Sequence, residues 1–155
     1  VNYGATHGLN TLLFDLCRRS EFVMTMEEDW EWIAERTHKP AVAMAIAVLR
    51  HDPLVLGVLL RHELDYKAEL SGWMTTGRDS TSDKDTSIEY RRHCVKQGGM
   101  GWGAWTNGAA LWKRHVLEEH IGRQNEEWGD GAELEFAQRV GAKYCTAQLR
   151  LVEGC

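Results

Sequence analysis

The sequence predicts a mainly α, single domain over residues 1–155, with about six helices packed around one apolar central helix and a Gly-rich loop or small β lobe at its side. Three observations support this. The stretch Asp52 to Glu63, DPLVLGVLLRHE, opens with an N-capping Asp and a Pro at the first helical position, then runs apolar on nearly every side except at Gly57. A helix without a polar face is a core helix. Helical spacing recurs elsewhere, as in Leu9, Leu12, Leu13 and Leu16. Finally, 155 residues are enough for one sizeable core and too few for two domains joined by a linker.

In chain order, the polar residues 1–8 precede an amphipathic helix from Leu9 to about Arg19. Thr25 followed by Glu28 forms a capping-box pattern, after which Met26, Trp30, Ile33 and Ala34 share a face until near Thr37. Periodicity does not separate helix from strand for Ala41 to Arg50, but its Ala and Met content favours helix. The Asp52 helix is expected to continue to about Leu70. From Ser71 to Thr106 the composition turns to Gly, Ser, Thr and Asp, with only a turn or two of helix around Ile88 to Val95. So long a connection in one domain points to a functional loop or cleft wall. Asn107 can cap a helix containing Leu111, Trp112, Val116 and Leu117 that stops at Gly122. Phe136, Ala137, Val140, Tyr144 and Ala147 form the stripe of a last helix.

A formal charge of -5, with scattered Lys and Arg, argues against a nucleic-acid partner. The apolar runs Pro40 to Leu49 and Pro53 to Leu60 are each too short to span a bilayer, and no signal-peptide pattern is visible at the start. Cys17, Cys94, Cys145 and Cys155 lack CxxC spacing, so disulfides are permitted and a zinc knuckle is disfavoured. Seven tryptophans raise the expectation of a ligand groove, because indoles stack on sugars and bases as readily as they fill cores.

Three chemistries compete for the central segment. His62-Glu63-Leu64-Asp65-Tyr66 resembles the HExxH motif of zinc metallopeptidases, but Tyr66 stands where the second His ligand belongs. Metal binding would need His93, His115, His120 or Glu133 from elsewhere, and neither metal nor cofactor is expected. Glu35 and His38 form a single ExxH pair, where a di-iron bundle needs two. In the second chemistry, a desolvated Glu63 at the end of a core helix has its pKa raised toward that of a general acid. The third is a non-catalytic binding or structural module, in which Glu63 only ends a helix.

The Asp-Pro opening, apolar run and terminal Glu63, followed by Gly99-Met100-Gly101-Trp102-Gly103-Ala104-Trp105-Thr106, resemble the catalytic helix and cleft wall of the lysozyme superfamily. Lytic transglycosylases and bacteriophage tail lysozymes are the nearest in pattern, and Trp128-Gly129-Asp130 with Leu134-Glu135-Phe136 is a weaker similarity to the latter. The resemblance implies a lysozyme-like helical fold and cleavage of the peptidoglycan glycan strand outside the cytoplasm or on a virion. Glu63 would act as general acid and base, while Gly99, Gly101, Trp102, Trp105 and Thr106 would bind substrate. In any second-carboxylate role Asp65, Asp79, Asp83 and Asp85 are equal candidates. Leu64 replaces the usual Ser and Ala104 the usual Gln, both hydrogen-bonding groups near the cleft.

Overall fold

The central apolar run is a strand. In the computed structural model, residues 4–26, 41–60, 72–76, 87–95, 105 and 108–150 are described. The chain forms α1 (Gly4–Asn10), a π-helical continuation (Thr11–Leu16), β1 (Phe22–Thr25), α2 (Ala41–His51), β2 (Val55–Leu59), β3 (Met74–Thr75) and β4 (Glu89–Cys94). Next come β5 (Ala110–Lys113), α3 (Arg114–Val116) with the π-helical turn Leu117–Ile121, a 3-10 turn (Glu126–Gly131), α4 (Ala132–Gly141) and β6 (Cys145–Leu149). The six strands make one mixed sheet in the order β1-β5-β2-β6-β4-β3. Only β2 and β6 run parallel, and every other neighbouring pair is antiparallel.

The mainly α, lysozyme-like expectation is therefore corrected to a sheet with helices on both faces. All five residues of β2 are buried, so the run that reads as a helix apolar all round is instead a strand apolar on both faces. Asp52 and Pro53 open a turn before it: Leu54 N–H donates to Asp52 Oδ1 at 3.1 Å, an Asx turn, and Val55 N–H donates to the Asp52 carbonyl. The expected turn of helix at Ile88 to Val95 is β4, and the expected Asn107 helix begins as β5. The last helix stops at Gly141, where Ala142 to Tyr144 turn the chain into β6. Thr25 lies in β1, its hydroxyl donating to the Gly108 carbonyl and accepting from Trp112 Nε1. The helical reading of Ala41 to Arg50 matches α2, and that of the first stretch overlaps α1 and its continuation, which begin earlier, at Gly4, and end at Leu16.

Alternation along the strands divides the core between the two sheet faces. Val55, Val58, Leu111, Ala147 and Leu149 pack under Ala45, Val48 and Leu49 of α2. On the other face Leu56, Ala110 and Trp112 pack with Leu13, Phe14, Leu117, Phe136 and Val140. Gly57 makes that second core possible, because a Cβ there would lie 2.1 Å from Trp112 Cε3. Gly122, at φ +80°, takes the turn after Ile121 in a conformation that side-chain-bearing residues rarely adopt. The helix-turn-strand units α2-β2 and α4-β6 meet where Cys145 N–H donates to the Leu54 carbonyl at 2.9 Å. A disulfide joins Cys94 to Cys145, directly opposed residues on β4 and β6, while Cys17 is a free thiol.

Asp52 closes this corner. Its side chain is 1% exposed and accepts from Arg92 Nε at 2.6 Å and from the Tyr90 hydroxyl at 2.8 Å. Lys113 Nζ donates to its carbonyl at 2.8 Å. Burial pushes the carboxyl pKa up, but Arg92, Tyr90 and the Leu54 N–H outweigh it and hold the group below its ordinary value. Burial and the same carboxylate push the Tyr90 hydroxyl up to about 12.

Two outcomes follow. Gly57→Ala must displace Trp112 and should destabilise the protein by about 3 kcal/mol, measured by chemical denaturation. Asp52→Asn leaves Arg92 and Tyr90 without their carboxylate and should cost about 3 kcal/mol at neutral pH. Because the folded pKa is lowered, this contribution is present above the unfolded Asp value of about 3.9 and lost as pH falls through the folded value. The stability gap between wild type and Asp52→Asn should therefore close in acid; a gap constant down to pH 2 would contradict it.

Candidate functional site

Of the residues the sequence singles out, Glu63, Gly99, Gly101, Trp102 and Thr106 lie outside the described residues, as do His62, Asp65, Tyr66, Asp79, Asp83 and Asp85. Trp105 is described and lies in the core at 3% exposure. Its ring stacks on Trp112 with centroids 4.2 Å apart and meets Phe136 edge-on at 4.7 Å. With its ring enclosed by these partners, Trp105 presents no stacking surface for a sugar. Among the described residues, no three His, Cys, Asp or Glu side chains gather to hold a metal. His93 is buried in β4, and His120 Nδ1 bonds to the Tyr144 hydroxyl.

A different constellation occupies the β6-β4-β3 half of the sheet. Met74, Tyr90, Ala147 and Leu149 face α2, so Arg91 and His93 on β4 and Thr146 and Gln148 on β6 turn to the opposite face by alternation. The same face that is apolar over β5 and β2 is thus polar here, with Thr146, Gln148 and His93 all buried. Registry arranges the polar groups in rows. Arg91 stands opposite Gln148 and donates from Nε to its Oε1 at 2.8 Å. One row further, Glu89 lies between Thr75 on β3 and Arg150, which follows β6; the Arg150 guanidinium donates to the Glu89 carboxylate at 3.1 Å.

Trp73, the residue before β3, completes the cluster and is 44% exposed. The Arg91 guanidinium carbon lies 5.0 Å from its ring centroid and that of Arg150 5.4 Å, both within cation–π range. Two cations thus share one indole, and one carboxylate, Glu89, is paired with Arg150. An exposed indole flanked by guanidinium groups supplies a flat apolar surface beside forked N–H donors, which suits binding. Unlike Trp105, Trp73 combines its ring with access.

The sequence carries a signal of this cluster, but a masked one. In Glu89-Tyr90-Arg91-Arg92-His93-Cys94 every second residue from Glu89 is polar, but Arg92 at an inward position masks the alternation. Arg92 is there because Asp52 receives it. Trp73 carries no periodic signal, since it stands alone between Gly72 and the short β3.

The two tryptophans should separate by mutation. Trp105→Ala removes a ring from a closed core and should cost about 3–5 kcal/mol, whereas Trp73→Ala should cost under about 1 kcal/mol. Denaturant midpoints for the pair check this, and equal losses would contradict the assigned environments. Comparison with known protein families, with curated proteins and with solved structures finds no match to this chain.

Proposed function

We propose that this chain is a binding module whose contact surface is the β3 side of the sheet. The observation that carries the reading is Trp73, accessible to solvent and set between the guanidinium groups of Arg91 and Arg150. Trp and Arg dominate binding energy at interfaces, because each combines a broad apolar surface with directed donors. The best-buried carboxylate among the described residues, Asp52, is committed to Arg92, Tyr90 and a backbone N–H, and holds the fold. No described helix is long and apolar enough to cross a membrane.

Cleavage of the peptidoglycan glycan strand by Glu63 is the second reading, and one observation favours it. Leu60 N–H donates to the Ala109 carbonyl at 2.9 Å, so the segments that contain Glu63 and Gly99–Thr106 join the sheet at neighbouring points. Among the described residues its helical scaffold is replaced, since β2 occupies Val55–Leu59 of the expected catalytic helix.

One set of measurements separates the two. With purified peptidoglycan, the binding reading expects no muropeptide release, whereas release that Glu63→Gln abolishes establishes the glycosidase and sinks the binding module. A photo-reactive residue at the exposed Thr75 should cross-link a partner in producing cells, and Trp73→Ala should lose that product while Glu63→Gln keeps it. The same product from a photo-reactive residue at Leu54, exposed in the α2-β2 turn, would also overturn the binding reading.

A further inference from the structure

Three features of the Trp73 cluster together say what kind of ligand it takes. The first is donor supply. Arg91 uses Nε for Gln148, and among the described residues neither of its terminal amino groups has a hydrogen-bond partner. Fixing the Nε edge orients the plane of the guanidinium, so its remaining N–H groups are held ready as a fork. That fork matches the two oxygens of a carboxylate or a phosphoryl group.

The second feature is local charge. Arg91 and Arg150 share the indole, and Glu89 pairs with Arg150, which leaves the cluster with a net positive charge. The chain as a whole carries -5, so this is a cationic spot on an acidic protein. A long polyanion would be repelled by the rest of the surface, whereas a compact anion reaching only this spot would not. The third is Trp73 itself, a residue 44% exposed, whose ring can cover an apolar body attached to the anionic group. β3 is too short at Met74–Thr75 to template an added strand, so side-chain recognition rather than strand addition fits the surface.

We infer that the Trp73-Arg91-Arg150 cluster binds a small organic oxyanion, a carboxylate or phosphate monoester with a flat or apolar body, through the Arg91 fork and the Trp73 ring. This rests on the binding-module reading and names its ligand chemistry. Arg91 sets the requirement for the anion, and Trp73 sets the requirement for the body.

The indole N–H resonance of Trp73, identified as the one missing from Trp73→Phe, reports binding in nitrogen–proton spectra of the whole chain. Phenyl phosphate and benzoate should each shift it saturably, and the stronger of the two names the source of the oxyanion. Benzyl alcohol, which lacks the anion, and inorganic phosphate, which lacks the body, should be at least about tenfold weaker. Arg91→Ala should weaken binding of the anions about tenfold and leave benzyl alcohol unchanged, while Arg91→Lys should restore only part, because an ammonium has no fork. Equal shifts with benzyl alcohol, no saturable shift with either anion, or unchanged affinity in Arg91→Ala each overturns the inference. If Trp73→Ala loses the Thr75 cross-link while neither anion binds, the surface is right and the ligand class wrong. If the cross-link survives Trp73→Ala, the binding-module reading itself fails.

Discussion

A single buried carboxylate holds the sheet's two halves to a common frame. Asp52 sits in the turn before β2, yet both side chains that donate to it, Tyr90 and Arg92, belong to β4, with β6 between. Its own carbonyl receives Lys113 from β5, so one residue touches strands on both sides of β2. Burying a charge is unfavourable unless its oxygens are satisfied, and here one oxygen takes a turn N–H and the other takes Arg92 and Tyr90. This corner fixes where α2 ends, where β2 begins and which side of β4 faces the core. By using the inward face of β4 for Arg92, it leaves Arg91 to the outward face, where the candidate ligand surface forms.

The parts of the fold legible in the sequence are those with one period and one buried side. The first helical stretch and the body of α4 show a stripe, and α2 shows its Ala and Met content. β2 was opaque because a run buried on both faces has no periodicity, and its Asp-Pro opening serves a turn as well as a helix start. β5 and β6 were hidden by splicing. Leu111 and Trp112 belong to a strand while Val116 and Leu117 belong to the helical turns after it, and Ala147 extends the α4 stripe although the chain has turned into β6. The candidate site fared worse, because its residues come from three separate strands' registers and have meaning only once Arg91 stands beside Gln148 and Glu89 beside Arg150.

The contrast between the two tryptophans follows from what each can pack against. Trp105 meets Trp112 and Phe136, and Trp112 in turn lies flat over the missing side chain of Gly57, so one glycine makes room for a stack of aromatic rings. Trp73 stands at the margin of the sheet with the guanidinium groups of Arg91 and Arg150 over its ring, and these cover apolar surface without closing it off. Composition alone does not tell such residues apart. The neighbours that registry supplies decide which indole belongs to the core and which is offered to solvent.

The strand order has a consequence for the way the chain is made. β6 is the last of the six described strands in sequence but lies between β2 and β4, bonded to both. During vectorial synthesis the β1-β5-β2 and β4-β3 groups can form earlier, yet each keeps a bare edge until Cys145–Leu149 leaves the ribosome. The sheet therefore closes from the middle, and the opposition of Cys94 to Cys145 exists only from that moment. A nascent chain stalled before this point presents two unsatisfied strand edges to its neighbours, the arrangement most open to mispairing between copies.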